Sequence, residues 1–118
     1  MKNSILFVID YLPNVELIDL LLEVGFEVTL LYNVSKFRET VSWINPSLII
    51  MNMEFSLSNN GVMLKIPWPD LALADIPIII MSDLSKSKFL NLPQNVDASI
   101  INPLDFDLVR NRALEIIN

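Results

Sequence analysis

Short, nearly unbroken apolar runs alternate along this chain with stretches of helical periodicity, from one end to the other. The first run, Ile5-Leu6-Phe7-Val8-Ile9, ends in a carboxylate, Asp10. Residues 26–32 read as a second strand, interrupted by Glu27 and Thr29, and further runs fall at 48–53, 77–81 and 98–101. Runs of this kind, apolar at successive positions, predict strands buried on both faces. Between the first two, Pro13 marks a break and Asn14 a helix cap, and the helix predicted over 15–24 follows. Its charges, Glu16, Asp19 and Glu23, share one narrow stripe, while Leu17, Ile18, Leu20, Leu21, Leu22 and Val24 are apolar. Gly25 stands where a helix C′ residue belongs. A second helix is predicted from Ser35, with Phe37, Val41 and Ile44 at core spacing and Trp43 off that face; Asn45-Pro46 closes it. A polar loop follows at 56–61, then single turns around Pro67-Trp68-Pro69 and a short helix at 85–90. Asp105 caps a last helix whose Phe106, Val109, Ala113, Ile116 and Ile117 point inward.

Five strands joined by connections long enough for helical crossovers predict an α/β domain of three layers, a doubly wound parallel sheet with helices on both faces. Right-handed crossovers leave few topologies, and the flavodoxin-like order 2-1-3-4-5 is the common one at this size. The third and fourth helices are expected to be shortened. Residues 1–118 read as one domain, compatible with excision from a longer chain. In such sheets the functional crevice lies at the carboxyl ends of the strands, which points to Asp10, Asn52, Ser82 and Asn102.

Composition narrows the chemistry. Hydrophobic residues make up 53% and charged residues 19%, which excludes intrinsic disorder. The apolar runs are far shorter than the ~20 residues of a bilayer crossing. With no Cys and no His, the chain lacks disulfides, thiolate metal sites, thiol nucleophiles and the commonest general base. Its glycines are Gly25 and Gly61, too few to write a glycine-rich phosphate cradle. A net charge of −6 argues against nucleic acid and anionic membranes as partners. The N-terminal apolar segment is interrupted too early for a secretory signal, so the protein is expected to be cytoplasmic. No catalytic acid–base pair is evident, and the reading is non-enzymatic.

Several segments, in order and at near-right spacing, resemble the receiver domain of bacterial two-component response regulators, a CheY-like fold. The resemblance covers nearly the whole chain. Ile5-Leu6-Phe7-Val8-Ile9-Asp10 is similar to the first receiver strand, which usually ends in two acids. Pro46-Ser47-Leu48-Ile49-Ile50-Met51-Asn52 is similar to the strand that ends in the phosphoacceptor Asp. Leu73-Ala74-Asp75-Ile76-Pro77-Ile78-Ile79-Ile80-Met81-Ser82 is similar to the fourth strand and its lead-in, and Asn95-Val96-Asp97-Ala98-Ser99-Ile100-Ile101-Asn102-Pro103 to the segment ending in a Lys-Pro pair.

In the family, the resemblance implies, two carboxylates and the phosphoacceptor hold Mg²⁺, the acceptor Asp attacks a phosphoryl group, and a hydroxyl and a lysine bind its oxygens. Aligned residue by residue, Asp10 keeps the second acid, Ser82 the hydroxyl and Pro103 the proline. Ile9 stands at the first acid, Asn52 at the phosphoacceptor, Asn102 at the lysine and Ser99 at the aromatic switch position. An amide nitrogen is not a useful nucleophile, and one carboxylate with neutral oxygens makes a weak Mg²⁺ site, with Asp10 a weak metal candidate. The changes agree with one another, since a buried lysine would lack counter-charges once two anions are gone. The expected pocket is neutral and polar, with a hydrogen bond between Asn52 and Asn102.

The expectation is therefore a pseudo-receiver: a protein-interaction module not switched by aspartyl phosphorylation, needing no cofactor, and docking a kinase, an output domain or a second copy of itself as a homodimer. Candidate contact residues are Leu17 and Leu21 on the first helix, Trp43 and Trp68; for the tryptophans burial against the sheet is the competing reading, and for the first helix cover by two neighbouring helices. Two alternatives stay open. One is an atypical phosphoreceiver using Asp10 or Glu54. The other is a flavodoxin-like binder of a small ligand, although Tyr11-Leu12-Pro13-Asn14 lacks the hydroxyl-rich loop of a flavin mononucleotide site.

Overall fold

The computed structural model describes residues 3–9, 15–32, 34–52, 75–82, 98–102 and 104–117. In chain order the elements are β1 (Ser4–Val8), α1 (Val15–Glu23), β2 (Glu27–Leu31), a 3₁₀ turn (Val34–Lys36), α2 (Phe37–Ile44), β3 (Leu48–Asn52), β4 (Ile78–Met81), β5 (Ala98–Ile101) and α3 (Phe106–Ile117). The strands form one parallel sheet in the order β2-β1-β3-β4-β5, as the sequence predicts. The segments expected to hold the shortened third and fourth helices lie outside the described residues, as do Trp68, Asp10, Glu54 and Pro103.

The apolar runs are explained by burial from both sides. Ile5, Phe7 and Ile9 pack with Leu48, Ile50, Ile79, Met81 and Ile101 in one cluster, closed by Leu17 and Leu21 of α1 and Val109 and Ala113 of α3. The alternate residues, Leu6, Val8, Ile49, Met51, Ile78 and Ile80, are buried as well, and strand alternation puts them on the opposite face. Phe37 of α2 is buried outside the first cluster. Removing each such side chain from water contributes about 1.5–3 kcal/mol. Strand β2, at the edge, is graded from exposed Glu27 to buried Leu31. No described helix is long and apolar enough to cross a membrane.

Local signals set the element ends. Helix α1 stops in a paired turn: the Gly25 amide donates to the Leu22 carbonyl at 3.0 Å and the Phe26 amide to the Leu21 carbonyl at 3.2 Å. Phe26, expected to begin the second strand, therefore gives its amide to the helix end, and β2 starts at Glu27. Gly25 has φ +97 with open space where a Cβ would stand, so an added side chain meets backbone strain alone. Gly25→Ala should lower stability by about 1–2 kcal/mol in urea denaturation; an unchanged midpoint would show that this turn relaxes freely. Similarly, Pro77, expected in the fourth strand, has no amide to pair; its carbonyl accepts from Ile49 at 3.0 Å and β4 begins at Ile78. The second helix, expected from Ser35, opens instead with the 3₁₀ turn. Lys36 supplies no side-chain cap, and the Thr40 hydroxyl donates back to the Lys36 carbonyl at 2.7 Å. Asn45 ends α2 in the left-handed region, its amide on the Val41 carbonyl.

Of the two readings of the apolar face of α1, burial within the fold describes Leu17 and Leu21. Leu17 and Leu21, considered as partner contacts, are both fully buried in the core cluster. The exposed apolar residues are Val15 and Leu22 of α1 and Val24 in the turn that follows it. The helix is wide in its apolar face, but the sheet and α3 take the centre of that face and leave only its margins outside.

Candidate functional site

The strand register assembles the carboxyl edge of the sheet. Val8 pairs with Met51, Asn52 with Met81, and Met81 with Ile101. One residue beyond Val8 is Ile9, so Ile9, Asn52, Met81 and Ile101 form one row across the sheet. Ser82 and Asn102 lie one residue further along. The Ser82 amide donates to the Ile101 carbonyl at 2.9 Å, which ties the ends of β4 and β5 together.

Ile9 is 1% exposed and belongs to the core cluster, and its amide still donates to the Leu31 carbonyl at 3.0 Å. The position is thus the last apolar layer of the sheet, capped by the helices on that face. Asn52 is half-buried and follows Leu48 and Ile50 in the strand alternation. Ser82 is 3% exposed, the buried polar residue of the described set. Neither Asn52 nor Ser82 is without a partner, and every buried side-chain polar atom among the described residues is hydrogen-bonded.

Asn102 behaves differently from expectation. Its side-chain oxygen accepts from the Leu104 amide at 2.8 Å, and its carbonyl accepts from the Asp105 amide at 3.0 Å. Asn102 is exposed and turns onto its own chain rather than across to Asn52, because an Asx side chain readily bonds the backbone two residues ahead. The turn delivers the chain to α3. There the Asp105 carboxylate accepts from the Leu108 amide at 3.2 Å and its carbonyl from the Val109 amide at 3.1 Å, the cap that the sequence predicts.

Ser99, at the middle of β5, is half-buried. Its hydroxyl accepts from the Arg112 Nε of α3 at 2.9 Å. Sequence reading missed Arg112, which looks like an ordinary polar position on a helix; only the packing of α3 on the sheet brings it to β5. Trp43 is 89% exposed on α2.

No protein-family model and no curated protein matches the chain. Solved structures do. The signal receiver domain of a Luxo repressor protein from Vibrio parahaemolyticus is 15% identical, with a TM-score of 0.70 over 99% of this chain and 91% of that one. The BeF3-activated N-terminal receiver domain of Klebsiella pneumoniae RstA is 19% identical, with a TM-score of 0.69 over 98% of this chain and all (100%) of that one. The Francisella novicida lysine decarboxylase LdcF is 19% identical, with a TM-score of 0.66 over 99% of this chain but 18% of its own. The chain has the fold of response-regulator receiver domains. Occurrence of the same fold within a larger decarboxylase illustrates that fold alone does not assign activity; the side chains at the strand ends must do so.

Proposed function

We propose that this chain is a receiver-like signalling domain that acts as a non-catalytic interaction module and is not switched by aspartyl phosphorylation. The observation that carries the reading is the place of Ile9: where the receiver pattern has an acid, this chain has a side chain of the hydrophobic core. Asn52 and Asn102 support it. The first offers a neutral amide where the pattern has a nucleophilic carboxylate, and the second spends its side-chain oxygen on the turn into α3. This donor set fits Mg²⁺ poorly, since that ion dehydrates reluctantly and is held by carboxylates. The protein would work in the cytoplasm and dock a kinase, an output domain or a second copy of itself, with exposed Trp43 a candidate anchor.

Incubation with acetyl phosphate and Mg²⁺, followed by intact mass spectrometry, tests the reading. No gain of a phosphoryl group is expected. Stoichiometric labelling would overturn it, and Asp10→Asn and Glu54→Gln variants would then identify the acceptor.

A further inference from the structure

We infer that Arg112 is a latch that holds β5 and α3 together as one rigid unit. The two residues it joins are 13 apart in sequence, with the Nε–Ser99 Oγ bond part-buried at 2.9 Å. Its Nη1 is 3.0 Å from the Glu115 Oε2, which orients the guanidinium from within α3. A guanidinium is suited to this: it is planar, always charged, and presents Nε and Nη donors in a fixed fork.

The chain between Ser99 and Arg112 is already braced at its corner. Leu104 and Asp105 both donate to Asn102, and Leu108 and Val109 both donate to Asp105. Without Arg112 that corner could still pivot, with α3 swinging relative to β5. The latch closes the ring on its third side. It acts at an edge of the sheet, where β5 pairs with β4 alone among the described strands. Leu104 and Leu108, both exposed, belong to the same unit, so the latch also fixes the surface they present. Arg110 provides the contrast. Its bonds to Asn111 and Asp107 stay within its own helix and join nothing to the sheet. This inference does not depend on whether the domain accepts phosphate.

Amide hydrogen exchange of the full chain, read by NMR, tests it. Ser99→Ala and Arg112→Met should each speed exchange of the amides in residues 98–101 by about tenfold, the scale of one charge-assisted hydrogen bond. Amides of β1 and β3 should be unchanged. Ser99→Thr, which keeps the hydroxyl, and Arg110→Met should both exchange like the wild type. The double variant Ser99→Ala with Arg112→Met should be no faster than either single variant, because both remove the same bond. The latch is refuted if β5 exchange is unchanged, if β1, β3 and β5 accelerate alike, or if the two substitutions add. Should Arg112→Met fail to fold, the comparison of Ser99→Ala with Ser99→Thr still decides.

Discussion

Ile9→Asp loses about 3–5 kcal/mol of stability in urea denaturation at neutral pH, a large share of the ~5–15 kcal/mol that holds a domain together. Ile9 is 1% exposed and packed in the cluster that α1 and α3 close over the sheet. A carboxylate there loses its hydration without gaining a cation. The pH dependence has a definite sign. Burial raises the folded-state pKa of the new carboxyl above its unfolded value of about 3.9. The folded state then holds the proton more tightly than the unfolded one, so the deficit is smallest below that value and grows as pH rises towards the folded pKa. Ile9→Val, which removes one methylene and adds no charge, should cost only about 0.5–1.5 kcal/mol. Wild-type stability in Ile9→Asp would show that the position tolerates an acid, and the argument from core membership would fail. The expected result has a functional corollary. An acid at position 9 works against the fold, and the proposed function rests on that same core membership of Ile9.

Leu21→Ala lowers stability by about 2–5 kcal/mol, whereas Leu22→Ala, one residue on, changes it by no more than about 0.5 kcal/mol. Leu21 is fully buried in the cluster, to which Phe26, just after the turn that ends α1, also belongs. Truncation would leave a cavity between α1 and the sheet. Leu22 is 50% exposed, and alanine is at least as good a helix former. Equal losses, or the reverse order, would mean that α1 faces the sheet through a different stripe. The pair also separates packing from recognition: a partner that weakens on Leu22→Ala but finds the fold intact is contacting the margin of α1, which Leu17 and Leu21 cannot report.

Much of the architecture was legible because it rests on periodicity. Both-face burial makes β1, β3 and β4 read as continuous apolar runs, and helical spacing separates them. Gly25, Asn45 and Asp105 mark element ends through conformations or bonds that their own chemistry favours. The boundaries that were misread are those where the backbone amide had a better or no use elsewhere. Phe26 gives its amide to the end of α1, and Pro77 has none to give. The candidate site was legible as a set of positions, since strand order and register follow from the same runs. What each side chain does there was not. Asn102 was expected to meet Asn52 and instead caps its own turn, a choice between two geometrically different partners that spacing cannot rank.

By itself, the sequence determined the parallel α/β architecture, the row of strand ends, and the residues that stand there, Ile9, Asn52 and Asn102, because these depend on residue type and local period. Tertiary structure alone decided which part of the apolar face of α1 is covered and that Arg112 reaches Ser99. Those outcomes are set by the distance and angle at which α1 and α3 lie on the sheet, and contacts between residues far apart in the chain leave no periodic trace in it.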